Sequence, residues 1–443
     1  MKVLVIGGGA REHAICDAVY RSKDAELYSV MSNLNPGIKI MSKDFLQEKE
    51  INIQDVVNYA KKNNIDIAIV GPEAPLEKGL VNELNKAGIK ACSPTKEAAR
   101  IETDKEWMRN LLKKNKIPGQ LKCETFSDID KAKKFIENLN GEVALKPIGL
   151  TGGKGVRVSG DHFNGIKEAL VYVKDVIEQK IGGQAKILIE EKAIGEEFTL
   201  QAFSDGTTIM PLHAVQDHKR LLPGDKGPNT GGMGSYSCEN GLLPFLNKSD
   251  YEEGAAILQK IVEALKKEGC PYIGPIYGQF MLTTQGPKII EINARFGDPE
   301  AMNVLPLLET DFIEICKSML DGNLNNTKMQ MKKKSTVCKY VVPEGYGVRS
   351  MIGEKVTVDE NNIKNTGSQL FYASVNKDND YVLTTSSRSL AVVGIADKLE
   401  KAENICEQAL QYVKGDHIFI RHDIGTPELI EKRITHMKQL RGN

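Results

Sequence analysis

The stretch KIIEINARFGDPE (288–300) concentrates side chains suited to chemistry. Glu291 and Asn293 stand two apart in an apolar run, so a strand directs both to one face. An isolated carboxylate buried there is costly. A carboxylate beside a carboxamide oxygen suits Mg²⁺ held mainly by substrate phosphates. Gln279, in IYGQFM on the preceding strand, reaches toward the same ions. The plain alternative is a polar sheet face with a surface carboxylate. A second stretch, EVALKPIGLTGGKGV (142–156), places Lys146 on a strand and Lys154 in a glycine-rich hairpin. Glycines let a backbone approach a polyphosphate, and lysines neutralise it. The Walker A spacing is absent, and by itself such a hairpin is also an ordinary tight turn.

The N-terminus, KVLVIGGGAREHAIC (2–16), has the first two glycines of a dinucleotide fingerprint at Gly7 and Gly9, but Glu12 where the third belongs. No acidic residue ends the next strand, which reads VMSNLNPG. NAD binding is therefore disfavoured. A strand–glycine–helix unit with Arg11 at the helix start suits a smaller phosphorylated ligand instead. His13 and His218 are read as packed or loop-capping rather than as general bases. Cys238 is read as structural, and Trp107 as packing.

These residues need elements to hold them. Strands alternate with helices over the first hundred residues, predicting a parallel α/β domain with its ligand at the strand C-terminal ends. The pattern predicts strands at 2–6, 25–31 and 65–75, the last ending in a Gly-Pro-rich loop, and a helix around 77–87. A helix over 103–116 carries Lys105. From there to about 320 the pattern is α+β and antiparallel, with GPNTGGMGSYS (227–237) as a glycine-rich loop. The polar run DGNLNNTKMQMKKK (321–334) reads as a linker, followed by short strands and a helix at 398–413 in a small α+β tail.

Composition narrows the class. At 443 residues the chain divides into several domains. Its 59 basic and 59 acidic residues cancel, so general nucleic-acid binding is not expected. No apolar run reaches the length of a membrane span, and no leader is evident. The eight scattered cysteines lack a C-x-x-C pair and read as reduced thiols of an intracellular, cytoplasmic protein.

At this point the sequence resembles the ATP-grasp enzymes and, within them, the phosphoribosylamine–glycine ligase family of purine biosynthesis. The matching segments are VLVIGGGAREHA, VGPEAPLEKGL, GLTGGKGV, QDHKR, GPNTGGMGSYS, IIEINARFGDPE and RHDIG, in family order. SNLNPGIK after the second strand departs from the family's usual run, as does Thr151–Gly152 in the hairpin. The resemblance implies an N-terminal α/β substrate domain (1–103), an ATP-grasp domain (104–325) with a mobile lid (about 122–195), and a C-terminal α+β domain (326–443). It implies ATP-dependent joining of glycine to 5-phosphoribosylamine through glycyl phosphate. A related purine-pathway ATP-grasp carboxylate–amine ligase is the alternative.

Carried over by position, Lys105, Lys146, Gly152, Gly153, Lys154 and Gly155 would contact ATP phosphates. Glu190, Glu191, Lys192 and Ala193 would form the adenine hinge, with Glu197 on the ribose. Gln279, Glu291 and Asn293 would hold Mg²⁺ or Mn²⁺, and Lys146 and Arg295 would act on the transferring group. Gly9, Arg11, Glu12 and Glu73 would meet the ribosylamine phosphate and sugar. Asp217, Lys219, Arg220, Asn229, Thr230, Gly231, Gly232, Arg295 and Asp298 complete the substrate set. The partners implied are these small molecules, with no nucleic acid or membrane, on a monomer or weak homo-oligomer.

Overall fold

The alternating apolar runs of the first hundred residues build a parallel sheet. Its strands are β1 (Lys2–Ile6), β2 (Glu26–Met31), β3 (Asp44–Gln47), β4 (Ile67–Val70) and β5 (Lys90–Ala91), in the order β3-β2-β1-β4-β5. The computed structural model describes residues 1–150 and 155–442. Along β1, Leu4 and Ile6 join one hydrophobic cluster while Val3 and Val5 join another. That is what a strand covered on both faces requires. The order reverses between β1 and β4, and their C-terminal ends carry Gly7–Gly9 and Gly71–Glu73. The helix expected at 77–87 is two helices, Glu73–Glu77 and Leu80–Lys86. Gly79, at φ +86°, breaks them in a left-handed conformation that favours glycine.

The helix carrying Lys105 runs Lys105–Lys114, capped by Asp104, whose Oδ1 accepts from Trp107 N. A preceding helix, Lys96–Thr103, ends at that cap. Next comes an antiparallel sheet of β6 (Cys123–Phe126), β7 (Val143–Pro147), β8 (Arg157–Val158) and β9 (Ile187–Glu191), ordered β6-β9-β7-β8. With helices Ile129–Asn138 and Gly165–Gln179 it encloses its own hydrophobic cluster, including Phe126, Leu145, Val173 and Ile189. β7 and β8 pair with Leu145 opposite Arg157. Within the link between them, residues 151–154, which include Gly152, Gly153 and Lys154, lie outside the described residues.

The chain continues through β10 (Glu196–Asp205), β11 (Ile209–Pro211), β12 (Gln216–Asp217), β13 (Arg220–Leu222), β14 (Lys226–Asn229), β15 (Gly234–Ser237), β16 (Ile273–Thr283) and β17 (Gly286–Asn293). Four of these form the sheet β11-β10-β16-β17, with the helix Lys248–Lys267 against it. The last part supplies β18 (Ser335–Pro343), β19 (Lys355–Val358), β20 (Gln369–Tyr372), β21 (Val375–Asp378), β22 (Tyr381–Thr384), β23 (Leu390–Ala396), β24 (Val413–Lys414) and β25 (Ile418–Ile420). β18 pairs with β15, so one sheet, β12-β15-β18-β23-β20, draws strands from both sides of the polar run 321–334. A final helix, Pro427–Arg441, follows RHDIG and was not read from the sequence. Proline at its start suits a helix N-terminus.

No helix among the described residues is long and apolar enough to cross a membrane. All eight cysteines are free, and only Cys123 is not fully buried.

Candidate active site

β16 and β17 bring the central group together. Gln279 lies opposite Glu291, and Tyr277 opposite Asn293. Glu291 and Asn293 share a face, as the two-residue spacing requires: Asn293 Nδ2 donates to Glu291 Oε1 at 3.3 Å. Between Gln279 and Phe280 the register slips, so Ile290 is left without an opposite number. Such a bulge re-aims backbone groups. The carbonyl of Ile290 accepts from Lys146 Nζ (3.0 Å) and Arg109 Nη2 (3.2 Å).

Lys146 is thereby fixed from two sides. Its Nζ lies 2.7 Å from Glu190 Oε2, and Arg109 Nε lies 2.6 Å from Glu190 Oε1. Glu190 is 0% exposed. Burial acts to raise its carboxyl, but Arg109 and Lys146 outweigh burial and hold it below the usual range. Sequence reasoning missed Arg109, which joins β9 to the bulge on β17. Glu190 spends its side chain on these pairs, so any adenine contact it makes is left to its main chain. Lys105 donates through Nζ to Gly149 O at 2.8 Å, at the root of the glycine-rich link. Burial, together with Lys146, lowers its ammonium pKa, against the raising effect of Glu291.

Glu291 sits among cations. Burial tends to raise its carboxyl, yet Lys219, Lys146, the Asn293 hydrogen bond and Lys105 hold it below the ordinary value. It is therefore an anion with two side-chain oxygens beside an amide oxygen. Among the described residues no group of three His, Cys, Asp or Glu could hold a metal ion. One carboxylate and one carboxamide fit a hard cation whose coordination is completed by phosphate oxygens and water.

Gln279 is placed beside this pair, but its oxygen is committed. Lys219 Nζ donates to Gln279 Oε1 at 2.5 Å, and Gln279 Nε2 donates to Glu197 Oε2 at 2.8 Å. Gln279 thus links Lys219 to Glu197 beside the Glu291–Asn293 pair. Asp217 and Glu300 face each other nearby. Burial and then their mutual repulsion raise the Asp217 carboxyl well above its normal range. Burial also raises Glu300, which accepts from Tyr277 OH at 2.8 Å. Asp217 Oδ1 is buried without a partner.

On the side of the parallel sheet, Glu12 answers the question its position raised. It is the third residue of the helix Ala10–Tyr20, and its Oε2 accepts from the N-cap Gly9 N at 2.9 Å. Its Oε1 lies 2.6 Å from Arg11 Nε. The carboxyl occupies the space between Gly7 and Gly71, where any Cβ would collide with it. The Gly9 N–H and the space beside it are thus taken by Glu12 and not left for a dinucleotide pyrophosphate. Arg11 also donates to Phe296 O.

Arg295 bridges from the β17 end, 3.5 Å from Glu73 and 2.9 Å from Glu102. Burial opposes ionisation of Glu73, but Arg295 and Arg11 outweigh it and hold the carboxyl low. Glu102, which sequence reasoning missed, accepts from Ala294 N, and burial pushes it up to about 7 despite Arg295.

The remaining predicted residues lie on short strands, strand ends and loops. Arg220 pairs with Asp161 at 2.8 Å, and Asn229 Nδ2 lies 3.5 Å from His162 Nε2. These contacts tie the hairpin β13–β14 to the β7–β8 unit. Thr230 Oγ1 donates to Lys219 O and accepts from Gly232 N. Asp298 has both carboxylate oxygens engaged, by Tyr340 OH and by Arg388. Glu191 accepts from Lys122 N, and Lys192 turns to Glu142 and Ser159 O, away from the central group. Ala193 is half-buried beside them, and Gly155 accepts from Tyr172 OH.

His13 accepts from Tyr372 N, and burial lowers it to about 4. His218 is likewise held at about 4 by burial, with Nδ1 3.3 Å from Asp225. Both are packed and neutral near pH 7. Burial, and to a smaller extent the nearby Glu239 charge, pushes the Cys238 thiol up to about 12, so it is no thiolate.

Comparison with known proteins matches this arrangement along the whole chain. Three family models match in order: the phosphoribosylglycinamide synthetase N domain over residues 1–102, its ATP-grasp (A) domain over 103–301, and its C domain over 336–427. The phosphoribosylamine–glycine ligase of Methanothermobacter thermautotrophicus is 51% identical over 441 residues, covering 100% of both chains. That of Methanocaldococcus jannaschii is 49% identical over 445 residues, again covering 100% of each. A crystal structure of phosphoribosylamine–glycine ligase from Thermotoga maritima superposes with TM-score 0.81 at 25% identity, covering 96% of this chain and 100% of that one. A biotin carboxylase complex from Campylobacter jejuni shares the fold, with TM-score 0.73 at 15% identity over 99% and 98% of the two chains. The chain belongs to the phosphoribosylglycinamide synthetase family of ATP-grasp ligases.

Proposed function

We propose that this protein joins glycine to 5-phospho-D-ribosylamine, splitting ATP to ADP and phosphate and giving glycinamide ribonucleotide for purine biosynthesis. The carrying observation is the anionic Glu291–Asn293 face ringed by Lys219, Lys146 and Lys105. It is suited to a triphosphate bridged by divalent cations, because each phosphate charge meets either a lysine or a cation.

In this reading Glu291 and Asn293 hold Mg²⁺ or Mn²⁺, which neutralises phosphate charge when bound. Gln279 orients Lys219 and Glu197 instead of ligating. Lys105 and Lys146 grip the phosphates, with the 152–155 link over them, and Glu197 takes the ribose hydroxyls. The 122–195 unit closes as a lid. The 1–103 region receives the ribosylamine through Gly9, Arg11, Glu12 and Glu73, and the 326–443 region braces the substrate loops.

A carboxylate is a poor acyl donor until one oxygen accepts the γ-phosphoryl group. Arg295, held by Glu73 and Glu102, stabilises the charge that moves in that transfer. The glycyl carbon is then open to the ribosylamine nitrogen, and the chain's work is positioning and charge neutralisation. No buried histidine is needed as a base for carboxylate attack.

The test is ADP release with Mg²⁺, glycine and freshly made phosphoribosylamine, leaving out each in turn. Turnover that requires all of them supports the reading. Turnover supported equally by formate or bicarbonate in place of glycine overturns it in favour of another carboxylate–amine ligase.

A further inference from the structure

Arg388 enters the substrate region from the C-terminal part of the chain, on the turn between β22 and β23. Its side chain is 12% exposed, and it binds two separate loops at once. Nη1 donates to Gly231 O at 2.6 Å, Gly232 O at 3.1 Å and Asp298 O at 3.2 Å. Nη2 lies 2.7 Å from Asp298 Oδ2. The guanidinium stacks on Tyr340 at 4.4 Å, and Tyr340 OH donates to the other Asp298 oxygen. Tyr346 OH accepts from Gly231 N at 3.4 Å. Residues of the C-terminal part thus fasten the glycine-rich loop to the Asp298–Glu300 turn.

The point where the loops meet is tight. A Cβ at Gly232, whose φ is +110°, would lie 2.7 Å from Pro299 Cδ and 2.8 Å from Asp217 Oδ1. That Asp217 oxygen is the buried acceptor left without a partner. An unpaired buried acceptor is costly and is relieved by a donor. Asp217 and Glu300 share this corner with their carboxyls raised by burial, and a cation there eases their ionisation, so the complementary donor is a primary ammonium and not a phosphate.

We propose that Arg388 is a positioning residue for the amino-acid substrate: by holding Gly231–Gly232 against Asp298, it presents the open Asp217 oxygen to the ammonium group of glycine. This rests on the ligase reading above. Arginine is required because its planar fork reaches two carbonyls and a carboxylate together, which a lysine ammonium cannot do.

Arg388→Ala and Arg388→Lys separate the possibilities, each checked for folding by circular dichroism and assayed by ADP release. Arg388→Ala is expected to raise KM for glycine at least about tenfold while KM for ATP moves less than about threefold; a tenfold change is about 1.4 kcal/mol. Arg388→Lys keeps the charge and is expected to raise glycine KM by an intermediate factor. Methylguanidine added to the alanine variant is expected to lower glycine KM again. A folded variant with unchanged glycine KM, or with glycine and ATP affinities lost in parallel, overturns the proposal. If the alanine variant does not fold, the same criteria apply to the lysine variant. Absence of glycine-dependent turnover in the wild-type enzyme would instead sink the ligase reading itself.

Discussion

Two places on this chain collect charge at the end of a strand, and they resolve it in opposite ways. At the end of β1, Glu12 turns back onto the Gly9 N–H and pairs with Arg11, so the helix start is satisfied by the protein's own carboxylate. At the end of β17, Glu291 has Asn293 as its direct hydrogen-bond partner among the described residues, with the lysines drawn around it. The first site spends the Gly9 N–H on its own carboxylate. The second keeps oxygen acceptors and cations in excess of what they give each other. A glycine-rich strand end is thus no guide to where phosphate goes; what matters is whether the local donors are already spent.

That contrast can be broken experimentally. The largest effect is expected from Arg109→Ala, which leaves Glu190 buried with one cation fewer. Removing one partner of a buried pair costs about 3–5 kcal/mol, so urea unfolding should show a loss of that size. A loss under about 1 kcal/mol, the range of exposed pairs, would mean the Glu190 cluster does not anchor the cation-rich side. Next, Glu291→Gln is expected to cut turnover at least about 100-fold, about 2.7 kcal/mol, with an unchanged fold. Near-normal ADP release from it would remove the metal assignment. Glu12→Ala should act on stability and not on the ATP step. It forfeits a helix cap worth about 1 kcal/mol, and a large rise in KM for ATP would contradict the view that ATP phosphates bind elsewhere.

The smallest effect concerns pH. Burial raises Glu102 from 4.5 to about 7. Between those values the folded chain keeps a proton that the unfolded chain releases, so this group's contribution to stability falls as pH rises through the window. Above about 7 the charged Glu102 pairs fully with Arg295. A several-fold rise of kcat/KM through neutral pH is expected, and Glu102→Gln should flatten it. An inflection retained in that variant would assign it to another group.

Local pattern carried part of this picture. The i, i+2 spacing placed Glu291 with Asn293, and apolar alternation placed Lys146 on β7, because side-chain direction along a strand follows from chain geometry alone. The mismatch at Glu12 was also visible, although not its return to Gly9. Other features were hidden because they depend on partners far along the chain. Arg109 finds Glu190 and the Ile290 carbonyl only once three elements have packed, and the bulge that frees that carbonyl has no signature in GPKIIEIN. The contact of Gln279 with Lys219, in the link between β12 and β13, was equally hidden. Asn35, in the run that departs from the family pattern, is buried and donates to both Gly8 O and Tyr372 O. It joins the first and last parts of the molecule.

The pairing of β15 with β18 carries an implication for biosynthesis on the ribosome. Gly234–Ser237 emerges early, and its hydrogen-bonding partner Ser335–Pro343 is translated much later. Throughout that interval the nascent polypeptide holds a strand with one side unmatched, the kind of template other chains can join. Chaperone shielding or rapid elongation would matter most in that interval, and a product terminated before Ser335 would keep that sticky margin permanently.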